Sequence, residues 1–209
     1  MPVLSPEIAS AAPPKGTWGG SRYPVGDSDD LRRILSLPKR PPADLESVRG
    51  AAIAELMTER LTRGPVACDC QVRFNRPCFK QLNAIQGWAL YEAPLANGLM
   101  AAAGVGSGKS ALDILTALVI PDCHRAVLLI PSNLKEQLVI EYQRIAVHFR
   151  VPSLVMMTGH QGYIVPGAPT VHVIPYSLFS RPEATATLEK LQPDLIIADE
   201  CHRIRYRNT

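Results

Sequence analysis

Apolar positions along this chain change their spacing twice. Residues 1–42 show no sustained period. Only Leu31, Ile34 and Leu35, after Asp29-Asp30, suggest one short helix in a stretch rich in Pro and Gly. Over 43–63 the spacing becomes helical: Asp44 can cap, Leu45, Val48, Ile53, Leu56, Met57 and Leu61 approximate one face, and Gly64-Pro65 ends the run. Residues 66–80 read as irregular. From Lys80 onward short apolar runs alternate with helical patterns, as in βαβ units around a parallel sheet. The runs predict strands over 98–103, 125–130, 154–158, 171–174 and 195–199. The patterns between them predict helices over 109–119, 134–148 and 178–191. Trp88 and Tyr91, at i and i+3, share a helix face and read as packing residues. No internal repeat is visible. The organisation expected is a Pro-rich flexible lead (1–42), a helical, Cys-containing connector (43–79) and an α/β domain from 80 to 209.

Composition narrows the class. Of 209 residues, 46% are hydrophobic and 20% charged, enough apolar content for a buried core. Twenty-two Lys and Arg against nineteen Asp and Glu give a net charge of +3, which neither requires nor excludes a nucleic-acid partner. Residues 1–14 hold no Lys or Arg before a long apolar run, so no secretory signal is expected, and no apolar stretch approaches the ~20 residues of a membrane span. Five cysteines without secretory context suggest reduced thiols, and a cytoplasmic bacterial or phage-encoded protein is expected.

Two motifs carry chemistry. Ala103-Gly104-Val105-Gly106-Ser107-Gly108-Lys109-Ser110 falls between a predicted strand and a predicted helix, the setting of a phosphate-binding loop. Its glycines let backbone N–H groups approach phosphate oxygens, and the helix N-terminus adds partial positive charge. Lys109 would reach the β- and γ-phosphates of ATP, and Ser110 would hold Mg²⁺. Gln192-Pro193-Asp194-Leu195-Ile196-Ile197-Ala198-Asp199-Glu200-Cys201-His202 runs a buried strand into two carboxylates. At the carboxyl end of a parallel strand they would face the ligand crevice. Asp199 is the candidate Mg²⁺ ligand, and Glu200 the residue that orients and deprotonates an attacking water. Cys201 reads as a tolerated small residue.

The loop opens on Ala103 where glycine is usual, a form that resembles superfamily-two helicases. Asp199-Glu200-Cys201-His202 resembles their DExH box. Residues 80–209 thus look like the first RecA-like, ATP-binding domain of such a motor. The continuation His202-Arg203-Ile204-Arg205-Tyr206-Arg207-Asn208-Thr209 resembles the SWI/SNF-like branch, with Tyr206 where Asn is usual. Leu129 to Gln137 is similar to that family's motif Ia, with Leu138 at a common Trp position, and Val173 to Leu178 to its motif Ib. The resemblance implies a RecA-like P-loop NTPase sheet with flanking helices. It also implies catalytic roles for Lys109, Asp199, Glu200 and His202, and nucleotide contacts from Gly104, Gly106, Ser107, Gly108, Lys109 and Ser110. Gln86 becomes a candidate adenine-reading side chain. Pro131, Ser132, Tyr176 and Ser177 would lie near a nucleic-acid backbone, double-stranded DNA for this branch.

The resemblance further implies a Ser/Thr-Ala-Thr strand and a second RecA-like domain carrying an arginine finger, neither present before Thr209. The expectation is therefore the front part of a longer motor, incomplete at its C-terminus and nearly inactive alone. Other readings are a strand-separating DExH helicase, a restriction-system motor, a non-catalytic nucleotide-binding or DNA-interaction fragment and, ranked low, a P-loop kinase. Arg203, Arg205 and Arg207 form an alternating basic run suited to phosphates or to a solvated loop. Cys68-x-Cys70 with Cys78 could supply three thiolates to zinc, with a fourth ligand from elsewhere. The histidines are scattered, and small, partly buried thiols are the favoured reading.

Overall fold

The computed structural model describes Arg32 and residues 48–96, 98–101, 106–157, 162–180 and 183–200. The chain divides into two compact units, Met1–Pro42 and Ala43–Thr209, and the elements below belong to the second. They are α1 (Val48–Leu61), α2 (Cys70–Phe74), α3 (Ala84–Ala96), α4 (Lys109–Leu115), β1 (Arg125–Ile130), α5 (Lys135–His148), β2 (Ser153–Met156), β3 (Thr170–Pro175), α6 (Glu183–Leu191) and β4 (Leu195–Ala198). Short 3₁₀ turns cover Thr116–Leu118, Ser132–Leu134 and Tyr176–Ser180.

The strands form one parallel sheet in the order β2-β3-β1-β4, so the expected α/β class with a parallel sheet and flanking helices holds. Ala126 stands beside Val171 on one side and Leu195 on the other. β1 is buried at every position except Arg125, as a central strand covered on both faces must be. Its side chains alternate between two cores. Ala126, Leu128 and Ile130 face the larger one, with Met57 and Leu61 of α1, Leu90 of α3, Ile114 and Leu115 of α4, and Tyr142 and Ile145 of α5. Val127 and Leu129 face a smaller core with Ile174, flanked by Leu188 and Leu191 of α6. Each fully buried aliphatic side chain is worth about 1.5–3 kcal/mol relative to exposure.

α3 crosses α1 at close range because Gly87 lacks a side chain. A Cβ there would lie 2.5 Å from the Cα of Ala54. Asp194, just before β4, accepts the N–H groups of His124 (2.9 Å) and Arg125 (2.8 Å) on one carboxylate oxygen. It thereby fixes the β1–β4 register from its amino end, and those two bonds hold its carboxyl below the usual range.

Several predicted boundaries shift. Residues 98–101, expected to begin a strand, form none. Gly98 takes φ 141°, Leu99 and Met100 are exposed, and no strand among the described residues pairs with them. Residues 102–105 lie outside the description. The stretch 66–80 is not wholly irregular, since it holds α2, closed by Asn75 in the left-handed region. The helix after Lys109 tightens into a 3₁₀ turn from Thr116, and the one expected from 178 begins at Glu183. Among the described residues no helix is long and apolar enough to cross a membrane.

Gly87→Ala should lower stability by about 1–3 kcal/mol in urea unfolding, because the intruding methyl meets backbone. Asp194→Asn should cost stability at neutral pH. Because the folded carboxyl titrates below its ordinary value of 3.8, the wild-type advantage should vanish as the pH falls through and below that value, as followed by unfolding at a series of pH values.

Candidate functional site

The candidate nucleotide site is built on the N-terminus of α4. Gly108 precedes it at φ 78° and Gly106 sits at φ 84°, both in the left-handed region that favours glycine. The loop is gripped from behind by the start of α3. Asn83 and Gln86 form a reciprocal cap: the Gln86 N–H donates to Asn83 Oδ1 (2.9 Å), and the Asn83 N–H donates to Gln86 Oε1 (2.9 Å). The same Gln86 amide donates through Nε2 to the carbonyls of Gly108 (3.0 Å) and Ser107 (3.4 Å), while Asn83 Nδ2 donates to the Ser107 carbonyl (3.1 Å). Gln86 is only 2% exposed, so its amide is engaged with the cap and the loop in this structure. A Cβ on Gly108 would sit 2.3 Å from Gln86 Nε2. The loop is therefore a cradle whose back wall is an amide and whose lining has no room for a side chain at 108. That open glycine backbone at a helix start, with Lys109 and Ser110 in the first turn, fits a phosphate group.

Lys109 and Asp113 lie one turn apart on α4. Burial pushes the Asp113 carboxyl well up, the charge of Asp199 pushes it further, and Lys109 pulls it back. Lys109, Asp113 and Asp199 thus share one electrostatic neighbourhood, although Asp199 follows the far strand β4. Asp113 escaped sequence reading, and its i+4 relation to Lys109 was the available signal.

The remaining motif residues gather at the carboxyl ends of β1, β3 and β4. The Asp199 N–H donates to the Leu129 carbonyl (3.0 Å), extending the β1–β4 ladder. The Tyr176 hydroxyl donates to the Asp199 carbonyl. Ser132, after β1, and Ser177, after β3, share a hydroxyl hydrogen bond of 2.7 Å. Glu200 takes φ 50° and is half-buried. Pro131 is buried at the end of β1. Gly104, Cys201, His202 and the run Arg203, Arg205, Arg207 lie outside the described residues. Trp88 and Tyr91 meet edge to face, with ring centres 6.3 Å apart, and the Arg49 guanidinium covers Trp88 at 5.5 Å.

A second cluster stands on other residues. Cys68, Cys70, Cys78 and His148 bring one ligand atom each to within 4.8 Å of one another, a Cys₃His set that could hold a metal ion. Cys68 Sγ lies 3.2 Å from Cys78 Sγ, and Cys70 Sγ lies 3.6 Å from His148 Nε2. Burial pushes the Cys70 thiol up to about 11. The hydrogen bond with Cys78 leads the causes that lower Cys68. Burial, then Lys80, pushes His148 down. His148 is the fourth ligand that spacing could not supply, because it ends α5, far along the chain from the cysteines.

Gly108→Ala should destabilise the chain by about 1–3 kcal/mol, through its positive φ and its collision with Gln86. In a double-mutant cycle with Gln86→Ala, part of that cost should disappear, since the collision is relieved while the strain remains. Strict additivity in urea unfolding would contradict the clamp.

Comparison with protein-family models, with curated proteins and with solved structures finds no match to this chain.

Proposed function

We propose that this chain is the ATP-binding part of an ATP-dependent DNA translocase or helicase, built on a RecA-like sheet. The observation that carries the reading is the meeting of separated motifs at one end of the sheet. Lys109 and Asp199 act on the same buried carboxylate, Tyr176 reaches Asp199, and Ser132 reaches Ser177. In open parallel sheets ligands bind in that crevice.

In this reading the 106–110 backbone and Lys109 hold the phosphates, and Ser110 with Asp199 hold Mg²⁺, which offsets phosphate charge when bound. Glu200 orients the attacking water and accepts its proton, and His202 completes the box. Gln86 serves the site by bracing the loop, and adenine would be read from the α3 side. Ser132, Tyr176 and Ser177 face the nucleic acid, with the buried Pro131 behind them at the end of β1. The Tyr176–Asp199 hydrogen bond gives that surface a direct mechanical link to the hydrolytic strand end. A second RecA-like domain would supply the arginine that completes catalysis.

Wild-type chain should bind a fluorescent ATP analogue in a Mg²⁺-dependent manner. Lys109→Ala should weaken binding by about 10- to 100-fold, the loss of one charge-assisted contact worth roughly 1.5–3 kcal/mol. Glu200→Gln should retain binding while abolishing any turnover, with or without duplex DNA. Failure of the wild type to bind the nucleotide at millimolar concentration would remove the reading. Binding without DNA-dependent turnover, even after a second RecA-like domain is supplied, would favour a non-catalytic nucleotide-binding module.

A further inference from the structure

We propose that Cys68, Cys70, Cys78 and His148 form a structural zinc site that pins the 62–80 connector to the end of α5. A tetrahedron of ~2.3 Å Zn–S bonds and ~2.0 Å Zn–N bonds spaces its ligand atoms about 3.5–3.8 Å apart. The Cys70–His148 separation of 3.6 Å matches the sulfur–nitrogen spacing, the Cys68–Cys78 separation of 3.2 Å needs only a small opening, and every pair lies inside 4.8 Å. Four protein ligands close the coordination shell and leave no position for a substrate or water, as in structural rather than catalytic zinc sites. Cys70 and His148 are buried while Cys68 is exposed, so the cluster has both a rigid floor and an entry side.

The surroundings hold the ligands in place without a metal. The His148 carbonyl accepts the Arg63 N–H (2.8 Å) and the Thr62 hydroxyl (3.1 Å), which fixes the end of α5 against the chain leaving α1. On the cysteine side, Arg76 donates to Glu141 of α5 at 2.6 Å. Arg144 bridges Glu141 (2.9 Å) and the Pro77 carbonyl (3.3 Å). Phe79 packs on Phe149, ring centres 5.2 Å apart, directly after each ligand-bearing segment. Three thiolates, a neutral imidazole and Zn²⁺ carry one net negative charge, and Lys80 follows Cys78 by two residues as a source of compensating charge. An outer shell that orients the ligands and balances their charge is what a metal site requires.

The test is metal content of the full chain, produced in zinc-supplemented medium and also reconstituted with Zn²⁺ after reduction. About one zinc per chain is expected. Replacement by Co²⁺ should give the visible d–d bands of a tetrahedral thiolate site. Cys68→Ser, an exposed position that leaves the core intact, should drop zinc to a small fraction of one per chain with unchanged circular dichroism. His148→Ala should do the same, and Cys123→Ser, a buried thiol elsewhere, should leave the content at one. Chelation should lower the unfolding midpoint of the wild type and barely move that of Cys68→Ser. Freely titrating thiols at Cys68, Cys70 and Cys78 with no bound metal after reconstitution would overturn the site. So would a Cys68–Cys78 disulfide that forms in preference to metal binding, since it would make the pair redox-active.

Discussion

The burial of β1 on both faces is the constraint around which the rest of this structure is arranged. A strand with no solvent-facing side must be apolar at consecutive positions, take hydrogen-bonded neighbours on both edges and be covered by helices above and below. Ala126 through Ile130 meet that demand, with β3 and β4 as neighbours and helices over both faces. Parallel pairing then forces each connection to cross back over the sheet, so β1, β3 and β4 all end on the same side. Residues far apart in the chain, Ser132, Tyr176, Ser177 and Asp199, meet there as a consequence of topology.

The glycine-rich loop before α4 depends on a second, smaller constraint. Buried loop carbonyls need donors behind them. The Asn83–Gln86 cap provides them while satisfying the first turn of its own helix. One glutamine amide therefore couples the orientation of α3 to the shape of the loop, and α3 is in turn set by its close crossing with α1 at Gly87. The packing of the helical layer thus reaches the candidate nucleotide site through a chain of contacts that starts at Ala54.

The Cys₃His cluster follows another logic. Its cysteines lie in a segment that leaves Val66 and Val72 exposed and sends few side chains into the large core. What positions it is the polar Arg76–Glu141–Arg144 network with the Pro77 carbonyl, joined by the apolar Phe79–Phe149 ring contact. A bound metal would add one more cross-link between this framework and α5.

Local pattern alone determined much of this chain. The limits of β1 were legible to the residue, because a doubly buried strand is an unbroken apolar run. α5 and β4 were legible within a residue or so, and the alternation of strands and helices predicted the parallel sheet. The glycine-rich loop and the Asp199-Glu200 pair stand out as candidates in the sequence because each is a run of adjacent residues. Tertiary structure decided what adjacency could not. Residues 98–101 form no strand, since among the described residues no strand pairs with their backbone. Gln86 turned out to hold the loop, since an amide's role depends on which carbonyls lie within 3 Å of it. Asp199 joined Asp113 of the Lys109 helix, and His148 joined three distant cysteines, because only folding brings together side chains that no spacing in the sequence connects.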